Sequence, residues 1–317
     1  MKGEFYRNFD SVAISKIQND KLYIDKIQTD IKSRNSGKSQ NNVFPAIRED
    51  IIDFYYKGGK LFGYNTSKGF YTHAKYASVI ENQSKDYINV TDLNNCRIIS
   101  DFTKEYKRIK ENCSLYSGTE STGASLIYHK FPYTLTGSDI VVLDIEISFK
   151  SVAKQKDETV IEENSHEGIE NMLSSNSRDR NQDRIDVLLY DTKHQELKFV
   201  ELKHYSNAEI WANVGNKAEV CNQIDKYETQ LSDKYSKILK EYEKYVNSVN
   251  VLFGLSLPVP QKICRDVTLF IFGFDGDQLN GRLKKFIQYN PAFTVKHKYY
   301  YGNIKSNKFD IMNLWNA

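Results

Sequence analysis

The stretch RIDVLLYDTKHQELKFVELKH, residues 184–204, constrains this chain more than any other. Two runs rich in Val, Leu and Phe flank the polar tetrapeptide TKHQ, which is the pattern of a tight antiparallel hairpin. A turn centred between Lys193 and His194 pairs residues whose numbers sum to 387. Val187 then faces Val200, Leu188 faces Phe199, and Asp186 faces Glu201. Directly opposed side chains on one face lie about 4.5–5.5 Å apart at Cβ. Lys203 is two residues beyond Glu201 and points to the same face. Two carboxylates at that spacing repel unless a cation or a proton lies between them, and apolar surroundings make ionised groups costly without compensation.

The Glu-x-Lys pattern alone does not select a site, because the chain contains three: Glu105/Lys107, Glu196/Lys198 and Glu201/Lys203. In the hairpin register Glu196 opposes Asp191 beside the turn, where both meet water. Glu105/Lys107 falls on an expected helix without an acidic strand partner. The Asp186–Glu201–Lys203 cluster remains, with strand capping and a simple ion pair as the bland alternative. Hard oxygen donors suit Mg²⁺ or Mn²⁺, and two carboxylates with the Leu202 carbonyl would suffice for an ion that keeps several waters. Such an ion assists phosphodiester hydrolysis, and a nearby ammonium orients the nucleophile and stabilises developing charge.

These residues resemble the PD-(D/E)xK nuclease superfamily, with the strand acid at Asp186 and E-x-K at Glu201–Lys203. The helix expected next carries QIDKY, in which Gln223 and Tyr227 match the Q-x-x-x-Y motif of the RecB-like, Cas4-like and lambda-exonuclease-like branches. The resemblance spans about residues 160–275 and lacks the proline of PD, since Ile185 precedes Asp186. It implies an α/β fold with a restriction-endonuclease-like core, a mixed central sheet flanked by helices. It also implies that Gln223 and Tyr227 shape the site. Many members place a further acid on a helix before the hairpin; Glu170 is the first candidate and Glu167 the second, with a solvated helix residue as the alternative.

Residues 126–317 are expected to form the nuclease-like domain with a basic C-terminal segment, and 1–125 an additional α+β region that selects substrate or partner. Within the latter, 42–56 starts a short helix, 61–80 forms aromatic strands around turns, 101–113 is a helix, and the Gly/Ser-rich 116–125 is a boundary loop. After it, SLIYHKFPYTL and SDIVVLDIEISF read as strands. In the polar segment 151–184, Ser165 caps a short helix. A long helix is expected over about 216–247, with Val220, Ile224, Tyr227, Leu231, Tyr235, Ile238, Tyr242 and Tyr245 on one stripe. The run 267–274 reads as a buried strand and 276–289 as a last helix.

From Arg282 to Phe309 there are seven basic residues and no acid: Arg282, Lys284, Lys285, Lys296, Lys298, Lys305 and Lys308. Aromatic residues interleave with them. A phosphate-binding, base-stacking face and a solvated face whose aromatics turn inward both fit. Arg178, Arg180 and Arg184 form a second basic edge before the Asp186 strand.

The net charge is only +3, so any basic surface is local. The four cysteines, Cys96, Cys113, Cys221 and Cys264, lack zinc spacing and the clustering of iron–sulfur members, so neither metal centre is expected. NSGKS lacks the first glycine of a phosphate-binding loop, DGDQLNG is not a calcium loop, and no GxSxG occurs; no nucleotide cofactor is expected. The scattered thiols, the absence of an apolar signal core and of a run near 18 apolar residues point to a cytoplasmic protein without membrane contact. The combined expectation is a Mg²⁺-dependent nuclease acting on DNA, with RNA as the other admissible substrate, in a bacterial defence, restriction or repair setting. Protein partners or self-association are compatible with it. The alternatives are a non-catalytic nucleic-acid-binding module of a larger complex, and an interaction protein that uses its aromatic N-terminal region.

Overall fold

A computed structural model describes residues 5–32, 43–79, 96–135, 138–149, 160–162 and 184–317. The chain is mixed α/β and divides into two units. Glu170, Arg178, Arg180 and the helix expected after Ser165 lie outside the described residues.

The first unit comprises described residues up to 125, the strand Val160–Glu162, and 247–256. Its antiparallel sheet runs in the order Phe44–Ile47, Ile51–Tyr56, Gly59–Asn65, Gly69–His73, Val160–Glu162. The helix expected over 42–56 is therefore two strands. The β-branched and aromatic run IIDFYY favours a pleated surface, and Pro45 sits on the edge strand, where its missing N–H does no harm. Arg48 N–H donates to the Ile51 carbonyl at 2.8 Å to close the turn between them. Phe54, Phe62 and Phe70 form the core with Phe102 and Tyr106, and the Phe62 and Tyr106 rings stack at 5.9 Å. Tyr106 opens the helix Tyr106–Leu115.

The helix Thr119–Lys130 replaces both the expected boundary loop and the strand expected after it. Ala124, Ile127 and Tyr128 are buried at steps of three and one, a helical spacing rather than an alternating one.

The second unit is built on a six-stranded mixed sheet. Its main order is Lys298–Tyr301, Thr268–Phe272, Glu196–His204, Ile185–Asp191, Ile140–Ile147. The first three strands are parallel and the last two pairings antiparallel. The short strand Lys262–Ile263 also pairs with the start of Glu196–His204. The hairpin register runs from Glu196↔Asp191 to Val200↔Val187, every pair summing to 387.

The long helix expected over 216–247 is two helices, Glu219–Asp233 and Tyr235–Phe253. Lys234 leaves helical geometry at φ −113°, and its ammonium donates to the Phe149 carbonyl at 2.9 Å. The second helix runs on to Phe253 and stops at Gly254, whose φ of +65° provides the left-handed terminus. The apolar stripe survives the break: all its members are buried except Tyr235, which is half-buried. Tyr242 Oη donates to Asp144 Oδ2 and Tyr245 Oη to the Leu143 carbonyl, each at 2.9 Å. Both bonds reach the bulge between Val142 and Asp144, where the pairing with Ile185–Asp191 slips by one residue. The helix thus satisfies a buried carboxylate and a backbone carbonyl at the interruption of the ladder.

The expected helix over 276–289 is a capped turn, Gly276–Gln278, continuing as the π-helix Leu279–Gln288. Among the described residues no helix is long and apolar enough to cross a membrane.

Candidate active site

The site is assembled where the hairpin ladder stops. Pairing ends at Val187↔Val200, one step short of Asp186 and Glu201. There the side chain of Asp186 takes over: its Oδ2 accepts the N–H of Leu202 at 2.7 Å. The strand of Glu201 and Lys203 continues instead in parallel pairing with Thr268–Phe272.

Glu201 and Lys203 are both buried, and Lys203 Nζ lies 3.1 Å from Glu201 Oε1. The same ammonium donates to Glu209 Oε2 at 2.5 Å. Glu209 sits in the short 3-10 turn Ala208–Ile210, fixed because Asn207 Oδ1 accepts the Glu209 N–H at 2.8 Å. Burial works against the charge on Lys203. The charge of Glu201, the hydrogen bond to Glu209 and the charge of Asp186 outweigh it and raise the lysine's pKa. For Asp186, burial first, then the charges of Glu201 and Glu146, push the carboxyl well above the ordinary aspartate value; the Leu202 N–H and Lys203 oppose this.

Glu146 and Glu209 were not singled out from sequence. Glu146 stands on the strand Ile140–Ile147 with φ +51°, between the pairs Ile145↔Val187 and Ile147↔Ile185. Those pairs place it across from Asp186. Arg184 Nη1 lies 3.6 Å from Glu146 Oε2. The pairing sum of 332 between these strands was the signal for Glu146, but it holds only after the bulge past Val142.

Gln223 and Tyr227 lie one turn apart on Glu219–Asp233. Gln223 Nε2 donates to Tyr227 Oη, which donates to the Arg184 carbonyl, each at 2.9 Å. The pair thereby anchors the backbone two residues before Asp186. Gln223 Oε1 is buried with no hydrogen-bond partner among the described residues, an acceptor left for a ligand or water. Replacing Tyr227 with Phe is expected to lower stability by about 1–2 kcal/mol, because it strands the Gln223 amide and a backbone carbonyl. Urea unfolding of the variant checks this; an unchanged midpoint would show that water replaces the hydroxyl.

Of the basic residues, Arg282, Lys285 and Lys296 are exposed and Lys284 half-buried. Lys298 turns inward: its ammonium donates to the Val295 carbonyl, and burial lowers its pKa. Phe293 and Phe309 are buried, while Tyr299 and Tyr301 stack on each other at 6.3 Å. The aromatics of this segment are therefore mostly packed, with Tyr289 the exception at 68% exposure. His204 Nδ1 lies 2.7 Å from Ser206 Oγ, and its ring packs against Gly273, where a Cβ would meet the imidazole at 2.1 Å.

Four carboxylates, Glu146, Asp186, Glu201 and Glu209, surround two cations, Arg184 and Lys203, a formal excess of two negative charges when all are ionised (4 − 2 = 2). A divalent cation would balance that excess. Among the described residues no three His, Cys, Asp or Glu side chains are grouped to hold a metal. Asp186 and Glu201 with the Leu202 carbonyl would offer only oxygen donors, which would suit an ion that keeps much of its water, as magnesium does. Comparison of the chain with protein-family models, with curated proteins and with solved structures finds no match.

Proposed function

We propose that the second unit is a Mg²⁺-dependent nuclease with a restriction-endonuclease-like core, hydrolysing phosphodiester bonds in DNA. The observation that carries this reading is the cluster at the end of the hairpin ladder, half-buried Asp186 beside buried Glu201 and Lys203. Asp186 and Glu201 share one face, with the Lys203 ammonium 3.1 Å from Glu201. Asp186, Glu201 and the Leu202 carbonyl would hold the ion, whose chemistry is to neutralise phosphate charge and acidify water. Lys203 orients the attacking water and stabilises the charge gathering on the phosphate oxygens. For this it must exchange Glu209 for substrate. Gln223 and Tyr227 keep the Asp186 strand in place.

The second reading, a binding module without catalysis, is favoured by one observation: Lys203 is already engaged by two carboxylates. Incubation with supercoiled plasmid and with single-stranded DNA and RNA, in Mg²⁺ and in EDTA, separates the two. Nicking that requires Mg²⁺ supports the nuclease. Salt-sensitive binding with no cleavage in Mg²⁺ or Mn²⁺ supports the module.

A further inference from the structure

The loop that leaves the Glu201–Lys203 strand carries an aromatic and cationic surface that the proposed chemistry does not use. Tyr205 N–H donates to the Phe272 carbonyl at 2.8 Å, and Trp211 Nε1 donates back to the Tyr205 carbonyl at 3.0 Å. The two rings meet edge to face at 5.0 Å. Trp211 is thus fixed two residues beyond Glu209, the partner of Lys203. The guanidinium of Arg282 lies 3.9 Å from the centre of the indole ring. Arg282 is exposed and pairs with no carboxylate among the described residues.

The same loop is tied to the end of the helix Leu279–Gln288. The buried Asn290 side chain accepts the Gly215 N–H at 3.0 Å and donates to the Asn216 carbonyl at 3.2 Å. Beside it stand Tyr289, 68% exposed, and Val214, 53% exposed, with the Lys284 ammonium 5.7 Å from the Tyr289 ring centre. A ring as open as Tyr289 gains little from burial, so packing does not account for it.

We propose that Trp211, Arg282 and Tyr289 form a stacking platform for an unpaired nucleic-acid strand beside the Lys203 end of the site. The ligand's identity rests on the nuclease reading. Cations that pair with no carboxylate complement a phosphate backbone, and the sequence from Arg282 to Phe309 contains no acid. The exposed Tyr289 ring, and the half-buried Trp211 once Arg282 turns aside, gain from bases that are free to stack, which duplex bases are not. A guanidinium parked on an indole can either sandwich an incoming base or turn to a phosphate.

Binding is measured by fluorescence polarisation in EDTA, so that no cleavage enters, with oligo-dT, oligo-U and a blunt duplex of about 20 nucleotides. The full chain is expected to bind the single strands about tenfold more tightly than the duplex. Trp211→Ala and Arg282→Ala should each weaken single-strand binding by about tenfold and leave duplex binding within about twofold, while Trp211→Phe keeps most of the affinity. Since Trp315 is the only other tryptophan, Trp315→Phe makes intrinsic fluorescence report Trp211, which a bound strand should quench. Equal affinity for single strands and duplex, or single-strand binding untouched by Arg282→Ala, an exposed change that spares the fold, overturns the platform. A single-strand preference without Mg²⁺-dependent cleavage overturns the nuclease reading and leaves the platform standing.

Discussion

Replacing Lys203 with Met is expected to destabilise the protein by about 3–5 kcal/mol at neutral pH, the usual cost of removing one partner from a buried ion pair. Methionine nearly matches the lysine stem in volume, so packing changes little. What is lost is the ammonium that Glu201, only 2% exposed, faces at 3.1 Å. Adding Glu201→Gln to the Lys203→Met background should restore most of the loss, because the uncompensated charge is then gone. The sign with pH follows from the raised pKa of Lys203. A lysine held more strongly protonated in the folded state stabilises fully below its unfolded value, 10.5, and that contribution fades only as pH rises through the higher folded value. The lysine's contribution should therefore show no loss up to about pH 9 in urea titrations, and the difference between wild type and variant should narrow toward acid pH, where the unpartnered Glu201 of the variant takes up a proton. A loss below about 1 kcal/mol, or no rescue by the double variant, would mean the pair is solvated as surface pairs are.

Asp186→Asn is expected to move stability and activity in opposite directions. Burial and the charges of Glu201 and Glu146 raise the Asp186 pKa, so the ionised carboxyl opposes folding. Stability falls as pH rises from 3.8 through the higher folded value. Asparagine removes the charge and still offers an oxygen to the Leu202 N–H. The variant should melt about 2–4 °C higher in EDTA, the shift that roughly 1 kcal/mol produces in a domain of this size. Mg²⁺ should raise the melting temperature of the wild type and leave the variant unmoved. Cleavage should drop by at least about a hundredfold. A variant that is less stable in EDTA yet cuts at the wild-type rate would separate Asp186 from both roles.

The hairpin was legible because its information is local. Alternation and a two-sided apolar pattern fix the register once the turn is centred, and a slip by one residue would turn Asp186 and Glu201 to the other face. Gln223 and Tyr227 were legible as a pair for the same reason, four residues apart on one helix. Glu146 was not, because its position opposite Asp186 depends on a bulge at Val142/Asp144 and on a left-handed residue, neither visible in composition. Glu209 reaches Lys203 through a three-residue turn set by Asn207. The helix Thr119–Lys130 contains Gly123 and a serine- and threonine-rich first turn, poor helix formers that packing of Ala124, Ile127 and Tyr128 overrides. The break at Lys234 involves neither Pro nor Gly, so no local signal announced it.

The two acids at the end of the ladder are the centre of this account, and a crystal soaked in Mn²⁺ tests them most directly. Anomalous density is predicted in contact with both Asp186 and Glu201, with Lys203 still beside Glu201 and the peak absent from crystals of Asp186→Asn. Manganese bound elsewhere on the chain, with Lys203 still bridging Glu201 and Glu209 and no density at Asp186, would contradict it.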